Sequence, residues 1–159
     1  MKNQLSWDRF YMGIAEKAAE LSYEDERKVG CVIVKDGNIL SFSYNGTPPG
    51  TSNIMRDADG RTLPLVLHAE TNAIAKVAQS HESTKGATVY TTYSPCMECA
   101  KAIYQAGIER VVFGDLYKMP PLDFLLSHGV TVKGLYGHHT LSFDPGLAGA
   151  GSVPNIAAI

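Results

Sequence analysis

Two cysteines three residues apart, Cys96 and Cys99 in Ser94-Pro95-Cys96-Met97-Glu98-Cys99, offer a pair of sulfur donors at an expected helix start. Ser94 is a favoured N-cap residue and Pro95 suits the first helical position, which predicts a helix over 95–106. Both thiols then lie on one face of the first turn. Unpaired N–H groups and the positive end of the helix dipole favour there the thiolate that a metal needs. Upstream, His68-Ala69-Glu70 opens a second expected helix, 68–79, and adds an imidazole and a carboxylate. One His with two Cys makes three protein ligands, which for zinc is the catalytic arrangement, since structural sites close with four. The open position takes a water whose pKa the ion lowers toward neutrality. Glu70, two residues past the ligand, is then placed to ferry protons rather than to ligate.

Two plainer readings compete with this one. A Cys pair also suits a structural zinc corner closed by Cys31 or another histidine, and a His near a helix start often only packs. Neither explains the H-x-E spacing. Cys31 falls within an expected strand and reads as a small buried hydrophobe. His81, His128, His138 and His139 have no motif context and are assigned to the surface or to packing.

The elements that must position these groups follow from pattern. Trp7, Phe10, Tyr11, Ile14, Ala18 and Leu21 recur at three- and four-residue spacing, which predicts a first amphipathic helix. Runs 29–34 and 39–44 are rich in β-branched and aromatic residues and flank Asp36-Gly37, a hairpin signal. Asn45 to Gly50 is turn chemistry, and the irregular stretch reaches Pro64, long enough to suggest a binding element or lid. Strands at 87–92, 110–113 and 130–136 alternate with helices at 68–79, 95–106 and 121–128. The expected fold is therefore α/β, a three-layer α/β/α sandwich around a five-stranded mixed sheet.

A chain of 159 residues with 45% hydrophobic and 19% charged residues reads as one domain, 1–141, followed by a small, apolar tail, 142–159. That tail is expected to dock on the body or on a neighbouring subunit, unless it is an expression scar. The formal net charge of −2, with no basic stripe, argues against a polynucleotide partner. Three cysteines without a pairing pattern suit a reducing cytoplasm, and no apolar run is long enough to span a bilayer.

H-x-E followed by P-C-x-x-C is the signature of zinc-dependent nucleobase deaminases. With RKVGCVIVKDGNILSFSYNGTPPG, HAETNAIA, YSPCMECAKAIYQAGIERVVFGD and the closing GVTV strand, the chain resembles the cytidine and deoxycytidylate deaminase superfamily over residues 5–137. Within it, the Tyr44-Asn45-Gly46 turn and the following Pro-Pro-Gly resemble the deoxycytidylate branch. The resemblance implies one Zn²⁺ per chain on His68, Cys96 and Cys99, and Glu70 as general acid/base. It further implies hydrolysis of dCMP to dUMP and ammonia. Asn45 is expected on the deoxyribose hydroxyl, and Arg27, Tyr117 and Lys101 are candidates for base or phosphate. The same resemblance implies a homo-oligomer, commonly a hexamer, activated by dCTP and inhibited by dTTP with Mg²⁺. Tyr44, Asn45 and Gly46 would be linked to that effector site. Deamination of a riboflavin-pathway pyrimidine, or a non-catalytic zinc assembly module, are the rival functions.

Overall fold

The computed structural model describes residues 2–136. The expected tail, 142–159, and the pair His138 and His139 lie outside the described residues.

The N-terminal helix α1 (Gln4–Ala19) begins where Asn3 accepts a side-chain hydrogen bond from the Ser6 N–H. Its inward face carries Tyr11, Met12, Ala15 and Ala18, all buried. Tyr11, Met12 and Ala15 pack on one side of the sheet against Val32, Val34, Tyr90 and Val112. The approach is close. A Cβ on Gly30 would stand 1.8 Å from the Ala15 carbonyl oxygen, so only glycine lets the helix settle there.

Strands β1 (Gly30–Lys35) and β2 (Asn38–Tyr44) form the expected hairpin. Asp36 and Gly37 both take positive φ, 49° and 76°, as a tight primed turn requires. A register shift lies between Ile33 and Val34. β1 also pairs antiparallel with β3 (Thr88–Tyr93), and β3, β4 (Arg110–Asp115) and β5 (Thr131–Gly134) run parallel, in the order β2-β1-β3-β4-β5. Three helices, α2 (Ala69–Ala78), α3 (Met97–Gln105) and α4 (Pro120–Ser127), cover the face opposite α1. Ala73, Ala100, Ile103 and Leu122 there meet Ile33, Val89, Val111 and Phe113 of the sheet. The expected three-layer sandwich with a five-stranded mixed sheet is the observed one.

Most boundaries shift by one or two residues, and three of the shifts bear on the sheet edge or the site. The last strand stops at Gly134 rather than Tyr136; Gly134 pairs with Phe113 of β4, and beyond it the Leu135 N–H still donates to the Phe113 carbonyl. α2 starts at Ala69, with His68 as its N-cap residue. α3 starts at Met97, two residues later than Ser94 and Pro95 suggest, and Cys96 is its N-cap residue, without a side-chain capping bond. Ser94 is displaced from the capping role because its N–H donates to the Asp115 carbonyl and its hydroxyl serves another loop.

One buried feature has no local sequence signal. Asp8 is fully buried on α1 and accepts 2.8 Å bonds on both carboxylate oxygens from Arg110. Lys133 at 3.0 Å, Tyr90 at 2.9 Å and Gln4 at 3.0 Å complete its surroundings.

Candidate metal centre and active-site cavity

All parts of the site gather at one edge of the sheet, where β2, β3 and β4 end and β1 begins. The starts of α2 and α3 point into this edge, the usual place for a ligand in an α/β sheet. Ser43 on β2 hydrogen-bonds the Ala69 carbonyl and Ser41 the Ala73 carbonyl at 2.9 Å, fixing α2 over the sheet.

His68, Cys96 and Cys99 converge, with their ligand atoms all within 4.8 Å of one another. His68 turns Nδ1 toward both sulfurs, at 3.4 Å from Cys96 and 3.3 Å from Cys99. A tetrahedral zinc with ordinary Zn–N and Zn–S bonds would hold those atoms about 3.6 Å apart, so the donor set fits that ion with little adjustment. Among the described residues no fourth His, Cys, Asp or Glu joins the cluster. The structural-corner reading is thereby disfavoured: Cys31 lies buried in β1 outside the group, and burial pushes its thiol up.

The two thiols divide their proton unequally. Hydrogen bonds from Cys99 and His68 pull the Cys96 thiol down, and the same contact with Cys96, together with burial, pushes Cys99 far up. The bond to Cys96 holds His68 above the usual imidazole value against its own burial. A cluster that already stabilises one thiolate beside an imidazole is prepared for a divalent cation.

Glu70, in the first turn of α2, is 4% exposed. Burial pushes its carboxyl above the usual range, only partly offset by its backbone bond and the nearby imidazole. Thr91 donates to Oε1 at 3.2 Å, and the Cys99 thiol lies 3.5 Å from Oε2. The carboxyl is held beside the His68–Cys96–Cys99 cluster rather than within it.

A cavity of about 510 Å³ opens onto this cluster. Arg27, Asn45, His68, Glu70, Cys96 and Tyr117 all line it. Asn45 is doubly anchored: its Oδ1 accepts from the Val29 N–H at 2.8 Å and its Nδ2 donates to the Arg27 carbonyl at 3.0 Å. Arg27 stacks its guanidinium on Tyr93 at 5.1 Å and on Tyr117 at 4.5 Å from the ring centroids. Lys101 is a different case. It pairs with Glu98 at 2.6 Å on the exposed side of α3 and is not among the lining residues, as its offset of two positions from Cys99 dictates. Tyr44 and Gly46 flank Asn45 but do not line the cavity; Gly46 exchanges two backbone bonds with Leu67, next to His68.

Sequence reasoning missed several lining groups. Glu24, Arg56 and Tyr93 carry no motif. Arg56 reaches from the long loop to Glu24 at 2.9 Å and Glu26 at 3.1 Å, so the loop is latched to the segment before β1. Only the loop's length hinted at such a role.

The family model for the cytidine and deoxycytidylate deaminase zinc-binding region matches residues 5–115. The chain belongs to the cytidine and deoxycytidylate deaminase family. Within that family it is similar to the deoxycytidylate deaminase of Saccharomyces cerevisiae, 37% identical over 139 residues, covering 80% of this chain and 44% of the yeast protein. The human deoxycytidylate deaminase is 36% identical over 117 residues, 69% of this chain and 65% of that protein. The chain thus spans less than two thirds of either relative. The crystal structure of dCMP deaminase from the cyanophage S-TIM5, in complex with dCMP and dUMP, superposes with a TM-score of 0.80 at 40% identity. That match covers 85% of this chain and 99% of the cyanophage chain.

Proposed function

We propose that this chain hydrolyses the exocyclic amine of dCMP, giving dUMP and ammonia, with one Zn²⁺ held by His68, Cys96 and Cys99. The observation that carries the reading is Glu70: a buried carboxyl of raised proton affinity, beside a three-donor cluster, at the end of a nucleotide-sized cavity. Bound there, the ion supplies the Lewis acidity that makes water nucleophilic near neutral pH. Glu70 takes the proton of the attacking water and delivers it to ring N3, which leaves C4 electrophilic. Glu70 then takes the proton of the new C4 hydroxyl and passes it to the amino group, which leaves as ammonia while the C4 carbonyl forms. Its burial suits both halves, because a carboxyl that keeps a proton readily can also hold it between the two transfers.

Asn45 presents an amide to the sugar from a fixed position, its backbone partners having removed its rotamer freedom. Arg27 carries the charge for the 5′-phosphate; no ion-pair partner holds it among the described residues, whereas Arg56 is spent on Glu24 and Glu26. The cyanophage enzyme's complex with dCMP and dUMP supports this substrate over a riboflavin-pathway pyrimidine. Loss of ultraviolet absorbance with dCMP, but not with cytidine, CMP or dCTP, is the expected result. Equal rates on all four would overturn the substrate assignment.

Regulation by dCTP and dTTP with Mg²⁺, a homo-hexamer, a cytoplasmic location and a supply of dUMP for thymidylate synthesis complete the proposal. Support for an effector role of Tyr44-Asn45-Gly46 is the placement of the turn. Asn45 grips the cavity wall, and Gly46 grips the residue preceding His68. Titrating dTTP into a dCMP assay should inhibit, and a flat response removes the regulatory part alone. No described helix is long and apolar enough to cross a membrane.

A further inference from the structure

Ser94 is 3% exposed and lines the cavity two residues before Cys96. It caps no helix. Its hydroxyl oxygen instead accepts two consecutive backbone N–H groups from a loop 23 and 24 residues further on, Tyr117 at 2.7 Å and Lys118 at 3.3 Å. Its own N–H donates to the Asp115 carbonyl at 2.8 Å, extending the β3–β4 ladder by one bond. One residue thus ties the entry of the metal helix to the loop after β4.

What that loop presents is the ring of Tyr117, and the preceding residue of Ser94 is Tyr93. These are the two rings between which the Arg27 guanidinium lies, 4.5 and 5.1 Å from their centroids. Tyr117 is 42% exposed, so packing alone does not hold it. With Tyr117 and Lys118 amides released, the ring loses the tether that sets it against Arg27. The arginine side chain then regains rotamer freedom that a phosphate would have to remove on binding.

We infer that Ser94 is a positioning residue for recognition of the substrate's phosphate monoester: by fixing the Tyr117–Lys118 backbone it holds Tyr117 against Arg27 and keeps that cation preset. Ser94 touches no reacting atom. This rests on the dCMP reading above, and deepens it. It separates two functions at positions two residues apart, Cys96 for the metal and Ser94 for the phosphate end of the cavity.

The test compares Ser94→Ala and Ser94→Thr with the native zinc-loaded protein. For Ser94→Ala, hydrogen exchange at the Tyr117 and Lys118 amides should accelerate. KM for dCMP should rise about tenfold, the loss of one well-buried acceptor, with kcat and zinc content held. Turnover of deoxycytidine, which lacks the phosphate, should not change. Ser94→Thr keeps the acceptor and should restore both readouts. Dissociation constants for dCMP and deoxycytidine measured by calorimetry on Glu70→Gln, alone and with Ser94→Ala, repeat the comparison without turnover. An unchanged ratio of dCMP to deoxycytidine affinity in Ser94→Ala overturns the inference, as does a loss of kcat or zinc that matches the KM change. If native protein binds dCMP no better than deoxycytidine, the phosphate reading of the cavity falls with it, and the exchange data still report whether the tether exists.

Discussion

Two buried carboxylates sit on opposite faces of one sheet, and they are opposites in every other respect. Asp8, on the α1 side, is surrounded by Arg110 and Lys133, with Tyr90 and Gln4 donating as well. Burial alone would raise its carboxyl, but these donors outweigh burial and hold it far below the usual range. Glu70, on the α2 side, has a hydroxyl, a thiol and an imidazole nearby but no Arg or Lys bonded to it, and burial wins. A carboxylate with two cations is permanently ionised and can only hold structure. A carboxylate kept from cations, whose proton affinity burial raises, takes up a proton more readily. Much of the difference is made by what the sheet places beside each.

Substitution separates the two most sharply. Glu70→Gln should lower kcat on dCMP by about 10³-fold, because the proton carrier is gone. Zinc content by metal analysis should be retained, since Glu70 is not needed as a ligand. Thermal stability of the metal-free protein should not fall, as a costly buried ionisable group has been replaced by a neutral amide. An active Glu70→Gln would equate the two carboxylates and refute the proton-carrier role.

Asp8→Asn should show the converse. Leaving Arg110 and Lys133 without their shared partner should cost about 3 kcal/mol in urea denaturation. The folded fraction should still bind zinc and turn over dCMP at the native rate. If instead activity falls while stability holds, the α1 face has a role in the site that its position does not suggest.

Acid provides a smaller and graded test. The folded-state pKa of Asp8 lies below its unfolded value of about 3.9, so the unfolded chain binds more protons in that window. The stabilisation is therefore complete above about pH 4 and is lost progressively as pH falls toward the folded value. Denaturation midpoints measured from pH 6 down to pH 2 should decline with the native protein, and the decline should be shallower in Asp8→Asn. Parallel curves would mean that Asp8 is not the group responsible. The smallest effect is expected at Lys101→Ala, where an exposed pair with Glu98 is removed. Stability should change by less than about 0.5 kcal/mol and KM for dCMP should not move. Arg27→Ala in the same assay should raise KM, so the pair distinguishes a cavity cation from a surface one.

Much of the metal centre was legible because its information is local. His68 and Glu70 lie two apart, Cys96 and Cys99 three apart, and each pair rides on one helix start. The hairpin was legible for the same reason, since Asp36-Gly37 specifies its own turn. Lys101 shows the limit of proximity in sequence: two residues from Cys99, it pairs with Glu98 on the exposed side of α3 and does not line the cavity. Ser94 shows the limit of propensity. A good N-cap residue followed by proline is not used as one, because two amides across the cavity compete for the same hydroxyl.

The sequence by itself determined which donors exist and which helices and strands carry them, and its H-x-E and P-C-x-x-C spacings raised the expectation that one imidazole, two thiols and one acid share a site. Those are properties of residue type and short spacing, which backbone periodicity turns directly into shared faces. Only the tertiary structure decided that Arg27 meets Tyr93 and Tyr117, that Arg56 latches onto Glu24, and that Asp8 meets partners 102 and 125 positions away. Such contacts depend on strand order and helix packing, and their free energy comes from burial that no local stretch of chain can achieve alone.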